Sequence, residues 1–204
     1  MKRIAVYCGS SAGPDEIYRT QAAQLGRYLA THKIHVIFGG GKVGMMGIMA
    51  DAVLEAGGEV TGVIPAFLHV KEVAHSALTE LITVDTMHQR KALIEEMCDG
   101  AIALPGGFGT LDELFEMLTW GQLGLHDKPV GILNTNGFFD LILSAINRMV
   151  DEGFLKDLNR DMLLVSNNIE ELVEAMRNYQ PPKIRKWIMD GDPGNETPFT
   201  AAPH

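Results

Sequence analysis

Short apolar runs alternate with longer amphipathic segments along most of the chain, and this alternation constrains the fold more than any other feature. The apolar runs are read as strands over residues 3–9, 35–41, 59–65, 81–86, 100–107, 128–134 and 162–166. Helical spacing predicts helices over 14–32, 44–56, 87–98, about 110–123, 138–151 and 169–178. Continuous Val, Ile and Leu runs are typical of parallel strands buried on both faces. The sequence therefore predicts an α/β fold: a Rossmann-like, doubly wound, mainly parallel sheet with helices on both faces.

The alternation extends over residues 1–180 and predicts one domain. The chain has 204 residues, of which 46% are hydrophobic and 21% charged, so it can bury a sizeable core. From Pro181 the pattern stops, and residues 181–204 are predicted to be a C-terminal extension that is partly disordered.

Net charge and cysteine usage narrow the function classes. A formal net charge of −9 argues against a nucleic-acid partner, but allows a local basic pocket for a phosphorylated metabolite. Cys8 and Cys98 form no CxxC pattern, which favours a reduced, cytoplasmic chain. No run approaches the roughly 20 apolar residues of a membrane span, and the first residues read as a strand rather than a signal peptide. The histidines show no metal-ligand spacing, so no metal site is predicted.

Two glycine- and serine-rich turns follow the first two predicted strands, where ligands of such folds bind. In "CGSSAG" (8–13), the hydroxyls of Ser10 and Ser11 either approach a ligand or cap the helix ahead of Pro14. "FGGGKVGMMG" (38–47) satisfies the dinucleotide pattern G-x-G-x-x-G, but it follows the second strand and no acidic residue closes a strand about 20 residues later. Tight packing of a helix on the sheet is favoured there, with backbone amides such as that of Gly40 near a ligand.

The third turn, "LPGGFGTLDELFEM" (104–117), supports two interpretations. Thr110 and Glu113 fit T-x-x-E, a capping box at a helix start. Such a box does not need Gly106, Gly107 and Gly109, which leave backbone amides unobstructed and so create an anion site at a helix N-terminus. The stretch is not G-x-x-x-x-G-K-[ST], so a monophosphate fits better than a nucleoside triphosphate.

Cations occupy an unfavourable place in "VDTMHQRKALIEEM" (84–97). A second capping box, Thr86 and Gln89, places the helix start at about Met87, with the basic pair "RK" just past it. Each cation near a helix N-terminus costs about 0.3–1 kcal/mol.

Two interpretations of this basic pair remain open. Arg90 and Lys91 are either solvated or paired with Glu95, or they point towards an anionic ligand and a buried carboxylate. The strands that precede this turn and the third turn are consecutive in sequence and are expected to lie close together in the sheet. Arg90 is therefore expected to meet Glu113.

These motifs together resemble the LOG ("Lonely Guy") family. "PGGFGTLDE" (105–113) matches its P-G-G-x-G-T-x-x-E signature, and "MHQRK" (87–91) matches its second motif at the same spacing. "CGSS" (8–11), "GGGKVGMMG" (39–47) and "TWGQLGLHDKPVGILN" (119–134) are also similar to family segments. The resemblance covers residues 2 to about 180.

The resemblance implies an activity and a set of site residues. Family members are cytokinin riboside 5′-monophosphate phosphoribohydrolases, which release a free base and ribose 5-phosphate, and related members act on AMP. By motif position, Arg90 and Glu113 are the implied catalytic pair. The implied substrate-binding residues are Gly106, Gly107, Gly109 and Thr110 for the phosphate, with Lys91, Glu72, Met87, Ser10 and Gly40 around them.

The resemblance further implies a homodimer with the active site near the subunit interface, and no metal or organic cofactor. A carboxylate at Glu113 suits glycosidic hydrolysis, because positive charge develops on the ribose C1′ and a water must be oriented or deprotonated. Two alternatives remain. The first is a nucleotide-binding module without catalysis. The second is the "lysine decarboxylase" label often given to such proteins. That chemistry requires a pyridoxal phosphate lysine, and nothing marks Lys42 or Lys91 as one.

Overall fold

The computed structural model describes residues 1–69 and 74–182. Within these residues the strands are β1 Arg3–Tyr7, β2 His35–Phe38, β3 Val60–Pro65, β4 Glu80–Val84, β5 Ala101–Ala103, β6 Val130–Leu133 and β7 Leu163–Ser166. The helices are α1 Glu16–Thr31, α2 Gly44–Glu55, α3 Ala66–His69, α4 Met87–Met97, α5 Phe108–Gln122, α6 Asp140–Asp151, α7 Asp157–Arg160 and α8 Ile169–Arg177. The predicted extension lies outside the described residues from residue 183 onward.

The strands form one sheet in the order β4-β3-β2-β1-β5-β6-β7, and every pairing between them is parallel. β1 lies between β2, where Ile4 is opposite Val36, and β5, where Val6 is opposite Ile102. Strands β1 to β4 follow one another towards one edge of the sheet. The chain then returns to the other side of β1, where β5, β6 and β7 follow one another towards the opposite edge. The predicted Rossmann-like, doubly wound fold is confirmed, and its topological switch point lies between β1 and β5.

Two apolar layers enclose the sheet. On one face, α1, α2 and α8 pack on strand residues such as Val6 and Phe38. On the other face, α4, α5 and α6 pack on strand residues such as Ala5 and Ile37. Successive side chains of a strand point to opposite faces, so a central strand must be apolar at every position. This is the reason that the strands read as continuous apolar runs.

The expected proximity of the strands before the two motif turns is wrong. β4 is an edge strand, and β3, β2 and β1 separate it from β5. The reason is the reversal of strand order at β1, which sends the chain from one edge back to the centre. The helix α4 makes this crossing, and it contacts β3, β2 and β1 on the way. A helix rather than strand adjacency therefore brings the two motifs together.

The observed starts of α4 and α5 confirm one predicted capping box and contradict the other. The Thr86–Gln89 capping box is present, with the Gln89 amide donating to Thr86 Oγ1 at 3.1 Å. The Thr110–Glu113 box is absent: α5 begins at Phe108 after Gly107, with no side-chain cap. The Thr110 and Glu113 side chains are buried instead, because both have tertiary neighbours.

The structure contradicts one of the two interpretations of the first turn, namely that its serines cap the following helix. Asp15 caps α1, its Oδ1 accepting from the Ile17 amide at 3.0 Å, so capping is not the role of Ser10 or Ser11. In residues 1–69 and 74–182, no helix combines the length and apolar character that crossing a bilayer requires.

Candidate active site

A buried ion pair joins the two motif helices. Arg90, in the first turn of α4, donates from Nη1 to Glu113 Oε1 of α5 at 2.6 Å, and from Nε to the Val63 carbonyl of β3 at 3.1 Å. The two side chains are only 11% and 10% exposed. The expected contact between Arg90 and Glu113 is present, and it lies at the carboxyl-terminal edge of the sheet.

The second glycine turn makes room for this pair. A Cβ atom on Gly39 would lie 2.0 Å from Arg90 Nη2, so no other residue fits without moving the guanidinium group. Close packing therefore explains the glycine at this position. The sequence also favoured packing over dinucleotide binding at this turn. Gly40 of the same turn is buried, and its carbonyl accepts a hydrogen bond from the His75 amide at 2.8 Å.

Burial sets the electrostatics around Glu113. Desolvation raises the pKa of Glu113 above its usual 4.5, and the charge of Arg90 opposes that rise. The neighbouring Tyr7 is also buried, and desolvation raises the pKa of its hydroxyl well above 10.0. A carboxyl group with a raised pKa holds a proton more strongly, which suits it to accept one from water.

A second feature, here called the switch-point crevice, opens between the carboxyl ends of β1 and β5. Its volume is about 530 Å³, and it is lined by Gly9–Asp15, Tyr18, Met45, Pro105–Gly107 and Phe138. The described lining residues include no lysine or arginine. Ser10 is exposed there, so its hydroxyl is available to a ligand, and the backbone at the start of α5 forms another wall.

The glycines at the start of α5 fall into two groups. Gly106 is required by packing, because a Cβ atom there would lie 2.1 Å from Thr110 Oγ1 and 2.8 Å from the Gly9 nitrogen. Gly107 and Gly109 face open space, with no atom within 4 Å of such a Cβ. Packing gives no reason for glycine at these two positions, whereas close approach of a ligand to the backbone does.

Lys91 contacts protein carboxylates. Its Nζ lies 3.2 Å from Asp112 Oδ2 and 2.9 Å from Glu116 Oε2, both on α5. The alternative pairing of Lys91 with Glu95 is wrong, because the Glu95 carboxylate instead binds Lys128 at 2.5 Å.

The remaining predicted site residues are Met87 and Glu72. Met87 is exposed in the first turn of α4, close in sequence to Arg90. Glu72 lies outside the described residues. Among residues 1–69 and 74–182, no group of three or more His, Cys, Asp or Glu side chains is placed to hold a metal ion.

Four crevice residues were missed from the sequence: Asp15, Tyr18, Met45 and Phe138. Tyr18 packs edge-on against Phe138, with ring centroids 6.0 Å apart. Met45 is buried in the core and also lines the crevice. The available signal was position, since each residue follows the carboxyl end of a strand bordering or near the switch point.

Comparisons with known proteins agree with this geometry. Residues 46–176 match a family model described as possible lysine decarboxylase. The chain is 45% identical over 180 residues to the cytokinin riboside 5′-monophosphate phosphoribohydrolase LOG5 of Arabidopsis thaliana, covering 88% of this chain and 79% of that protein. It is 44% identical over 192 residues to LOG2 of the same plant, covering 93% and 90%.

Solved structures share the fold. The molybdenum cofactor binding protein from Rippkaea orientalis has a TM-score of 0.66 at 22% identity, covering 86% of this chain and 95% of that chain. An X-ray structure of a structural-genomics target has a TM-score of 0.67 at 25% identity, covering 88% and 100%. The sequence relatives and the family match together show that the chain belongs to the LOG family, whose family model is described as possible lysine decarboxylase.

Proposed function

We propose that the protein hydrolyses the N-glycosidic bond of a purine riboside 5′-monophosphate, of cytokinin type or AMP, to give the free base and ribose 5-phosphate. The observation that carries this proposal is the buried Arg90–Glu113 pair beside the glycine-rich start of α5. Relatives at 45% and 44% identity are named cytokinin riboside 5′-monophosphate phosphoribohydrolases.

The start of α5 supports a phosphate site. The first amides of a helix have no partner within the helix, and its dipole favours negative charge at that end. Gly107 and Gly109 leave these amides open, and Ser10 adds a hydroxyl from the opposite wall. Gly106 and Thr110 pack together and fix the backbone that presents the amides. Gly40, Met87 and Lys91 complete the proposed substrate-binding residues in the described part of the chain, and Glu72 is proposed from its motif position alone.

The Arg90–Glu113 pair supports the chemical step. As the base leaves, positive charge develops on C1′, and an ionised Glu113 stabilises that charge and orients the attacking water. Water supplies the oxygen that bonds to C1′ and the proton that the base takes up. Arg90 holds the carboxylate through one nitrogen and the β3 backbone through another, so the orientation of Glu113 is determined before substrate binds.

The lysines do not fit a pyridoxal phosphate decarboxylase. A Schiff-base lysine reacts as a neutral amine, which a lowered pKa favours. Among the described residues, the two lysines that are not exposed are Lys91 and Lys128, and both form ion pairs with carboxylates. Hydrogen bonding to Glu116 raises the pKa of Lys91, the opposite of what that chemistry needs.

We also propose a cytoplasmic homodimer with its active site near the subunit interface. The family resemblance supports the dimer, and the separate, buried cysteines Cys8 and Cys98 suit a reducing compartment. Light scattering of the eluting protein measures the assembly, and a single-chain mass of 22.3 kDa would contradict the dimer.

The activity is tested by incubating the protein with AMP and, separately, with isopentenyladenosine 5′-monophosphate. Chromatography measures free base, and a coupled assay measures ribose 5-phosphate. We expect equal amounts of both products from at least one substrate. Binding of both nucleotides without any product would instead identify a nucleotide-binding module.

A further inference from the structure

The helix that carries Arg90 has little apolar anchoring. All residues of α4 are described, and Ile94 is the single buried one, whereas α5 buries five. The last turn of α4 also has no basic residue of its own, although a cation there interacts favourably with the helix dipole. The position of α4, and with it that of Arg90, therefore depends on polar contacts with other elements.

Lys128, which precedes β6, supplies the missing cation at the end of α4. Its Nζ donates to the Glu95 carbonyl and lies 2.5 Å from Glu95 Oε1. The side chains of Lys128 and Glu95 are only 21% and 20% exposed, so water screens this pair less than a surface pair. The same carbonyl accepts from the Cys98 amide at 3.3 Å. One lysine thus binds both the backbone and a side chain at this helix end.

His126 fixes the segment that carries Lys128 to α5. Its Nε2 lies 2.9 Å from the Met117 carbonyl, and its Nδ1 accepts from the Lys128 amide at 3.1 Å. Because Nδ1 is an acceptor, the neutral ring carries its proton on Nε2 and donates it to α5. Burial lowers the pKa of His126, which favours this neutral ring. His126 and Lys128, here called the clamp, therefore join α5 to α4.

The clamp holds each helix just beyond the buried ion pair. Met117 follows Glu113 by four residues, which is about 6 Å along a helix. Glu95 follows Arg90 by five residues, which is about 7.5 Å. The clamp residues do not line the switch-point crevice, so their link to the site runs through the two helices.

We propose that Lys128 is a positioning residue for the Arg90–Glu113 pair. By holding the end of α4 to a segment fixed on α5, it keeps the Arg90 guanidinium group where it orients the Glu113 carboxylate. The catalytic consequence rests on the proposed function. The mechanical part does not, because it concerns the contact between the two side chains whatever reaction follows.

The first test follows the hydrogen on Arg90 Nε, which is donated to the Val63 carbonyl at 3.1 Å. Its exchange with water is measured by ¹⁵N NMR, with Arg90→Lys used to assign the signal. We expect Lys128→Met to speed this exchange by about tenfold, because the charged hydrogen bonds that hold α4 are lost. Lys128→Arg should stay within about threefold of the wild type, since the charge remains.

The location of the change separates positioning from general stabilisation. Lys156→Met makes the same substitution at an exposed position before α7 and should leave the Arg90 signal unchanged. In Lys128→Met, faster exchange should be confined to α4 and residues 126–128. Equal acceleration of amides in β1 and α1 would show that Lys128 only stabilises the whole fold. That result, or an unchanged Arg90 signal, would overturn the proposal.

The second test breaks the same contact from the other side. Glu95→Gln removes the carboxylate but leaves the Glu95 carbonyl as an acceptor, so we expect the Arg90 hydrogen to exchange about threefold faster. Lys128→Met combined with Glu95→Gln should exchange no faster than Lys128→Met alone, because both changes break one contact. Additive effects would contradict a shared contact. If Lys128→Met does not fold, Glu95→Gln decides the matter, and an unchanged signal there overturns the proposal.

The third test uses turnover of whichever monophosphate the wild type hydrolyses. We expect Lys128→Met to lower kcat by about tenfold and to change KM by less than about threefold, because the orientation of Glu113 suffers and the crevice does not. Lys128→Arg should restore kcat. A tenfold rise in KM with unchanged kcat would overturn the proposal in favour of a role in binding. If the wild type releases no base, the proposed function fails, and the exchange rates still decide whether Lys128 positions Arg90.

Discussion

The two parts of the candidate site deal with charge in opposite ways. The Arg90–Glu113 pair places full charges in side chains that are about nine-tenths buried, with the β3 backbone as a further partner. The switch-point crevice is open to solvent, and its described lining offers hydroxyls and backbone amides without a lysine or arginine. One part holds ionised side chains away from solvent. The other offers an anion hydroxyls and backbone amides, and the charged residue of its described lining is Asp15, whose carboxylate caps α1.

This difference has a physical reason. A cation in the crevice would compete with Arg90 for Glu113. Amides at a helix start bind an anion without adding a titratable group. Gly106 and Gly107 line the crevice just before α5, whereas Glu113 contacts Arg90 further along that helix, so the two functions use different parts of the same segment.

The largest expected effect comes from neutralising the buried pair. Glu113→Gln keeps the shape of the side chain but removes the charge that stabilises C1′ and activates water. We expect base release to fall by about 10²–10⁴-fold, the usual contribution of a positioned acid or base. Initial rates near pH 8 measure this, and circular dichroism shows whether the fold is kept.

The matched control for that variant is Glu96→Gln, which makes the same chemical change at an exposed position of α4. It should leave the rate within about twofold, since it lies outside the proposed machinery. Wild-type activity in Glu113→Gln would remove the buried pair from the mechanism.

Two glycine variants separate packing from ligand binding at the start of α5. Gly106→Ala places a Cβ atom 2.1 Å from Thr110 Oγ1, so we expect a loss of about 1–3 kcal/mol of unfolding free energy. Gly109→Ala meets nothing within 4 Å in the helix and should gain about 0.5–1 kcal/mol. If ligand approach explains Gly109, the same variant should raise KM by about tenfold while it stabilises the fold.

Urea unfolding measures the stability of each glycine variant, and steady-state kinetics measure KM on the same preparations. A Gly109→Ala variant with higher stability and unchanged KM would show that the phosphate does not approach this amide. The combination of a stabilised fold and weakened binding is informative, because a damaged fold cannot produce it.

The sequence predicted both the fold and the Arg90–Glu113 contact. One reason given for that contact, the adjacency of the two preceding strands, is wrong. The continuous apolar runs indicated a two-sided parallel sheet, and the cations at the start of α4 suggested a buried carboxylate as one of two interpretations. Strand order is a property of tertiary packing, so the distance between β4 and β5 could not be read from their succession. The capping pattern at Thr110 and Glu113 was equally misleading, because α5 begins at Phe108, which places both residues inside the helix, where Glu113 contacts Arg90. Phe138 belongs to no motif, and only the fold brings it to Tyr18.

The pH dependence of stability offers a smaller test of the buried pair. The folded-state pKa of Glu113 is raised above the usual 4.5 mainly by burial, so the native state holds this proton more tightly than the unfolded chain. Its contribution to unfolding free energy is present below about pH 4.5 and is lost as pH rises through the folded pKa. Relative to Glu113→Gln, the wild type should therefore lose stability as the pH rises above about 4.5. Urea unfolding of both proteins across this range measures the difference, and the opposite slope would mean that Arg90 outweighs burial.

The smallest expected effect comes from a substitution in the wall of the switch-point crevice. Phe138 packs edge-on against Tyr18, with ring centroids 6.0 Å apart, and against Phe139 at 5.0 Å, so Phe138→Ala widens the crevice. Phe138 lines the crevice, and losing an aromatic contact with the ligand there, worth about 0.5–1.5 kcal/mol, would raise KM about three- to tenfold. The turnover number should stay unchanged, because the substitution leaves Arg90 and Glu113 in place.

Phe154→Ala is the matched control for Phe138→Ala. Phe154 is 87% exposed beyond α6 and lies outside the crevice lining, so KM should not change. A lower turnover number with normal KM in Phe138→Ala would show that the crevice wall acts on the chemical step. The division of labour between the crevice and the buried ion pair would then be wrong, since a residue of the binding part would be controlling the reaction. A rise in KM alone supports that division, because only binding responds when the crevice wall is changed.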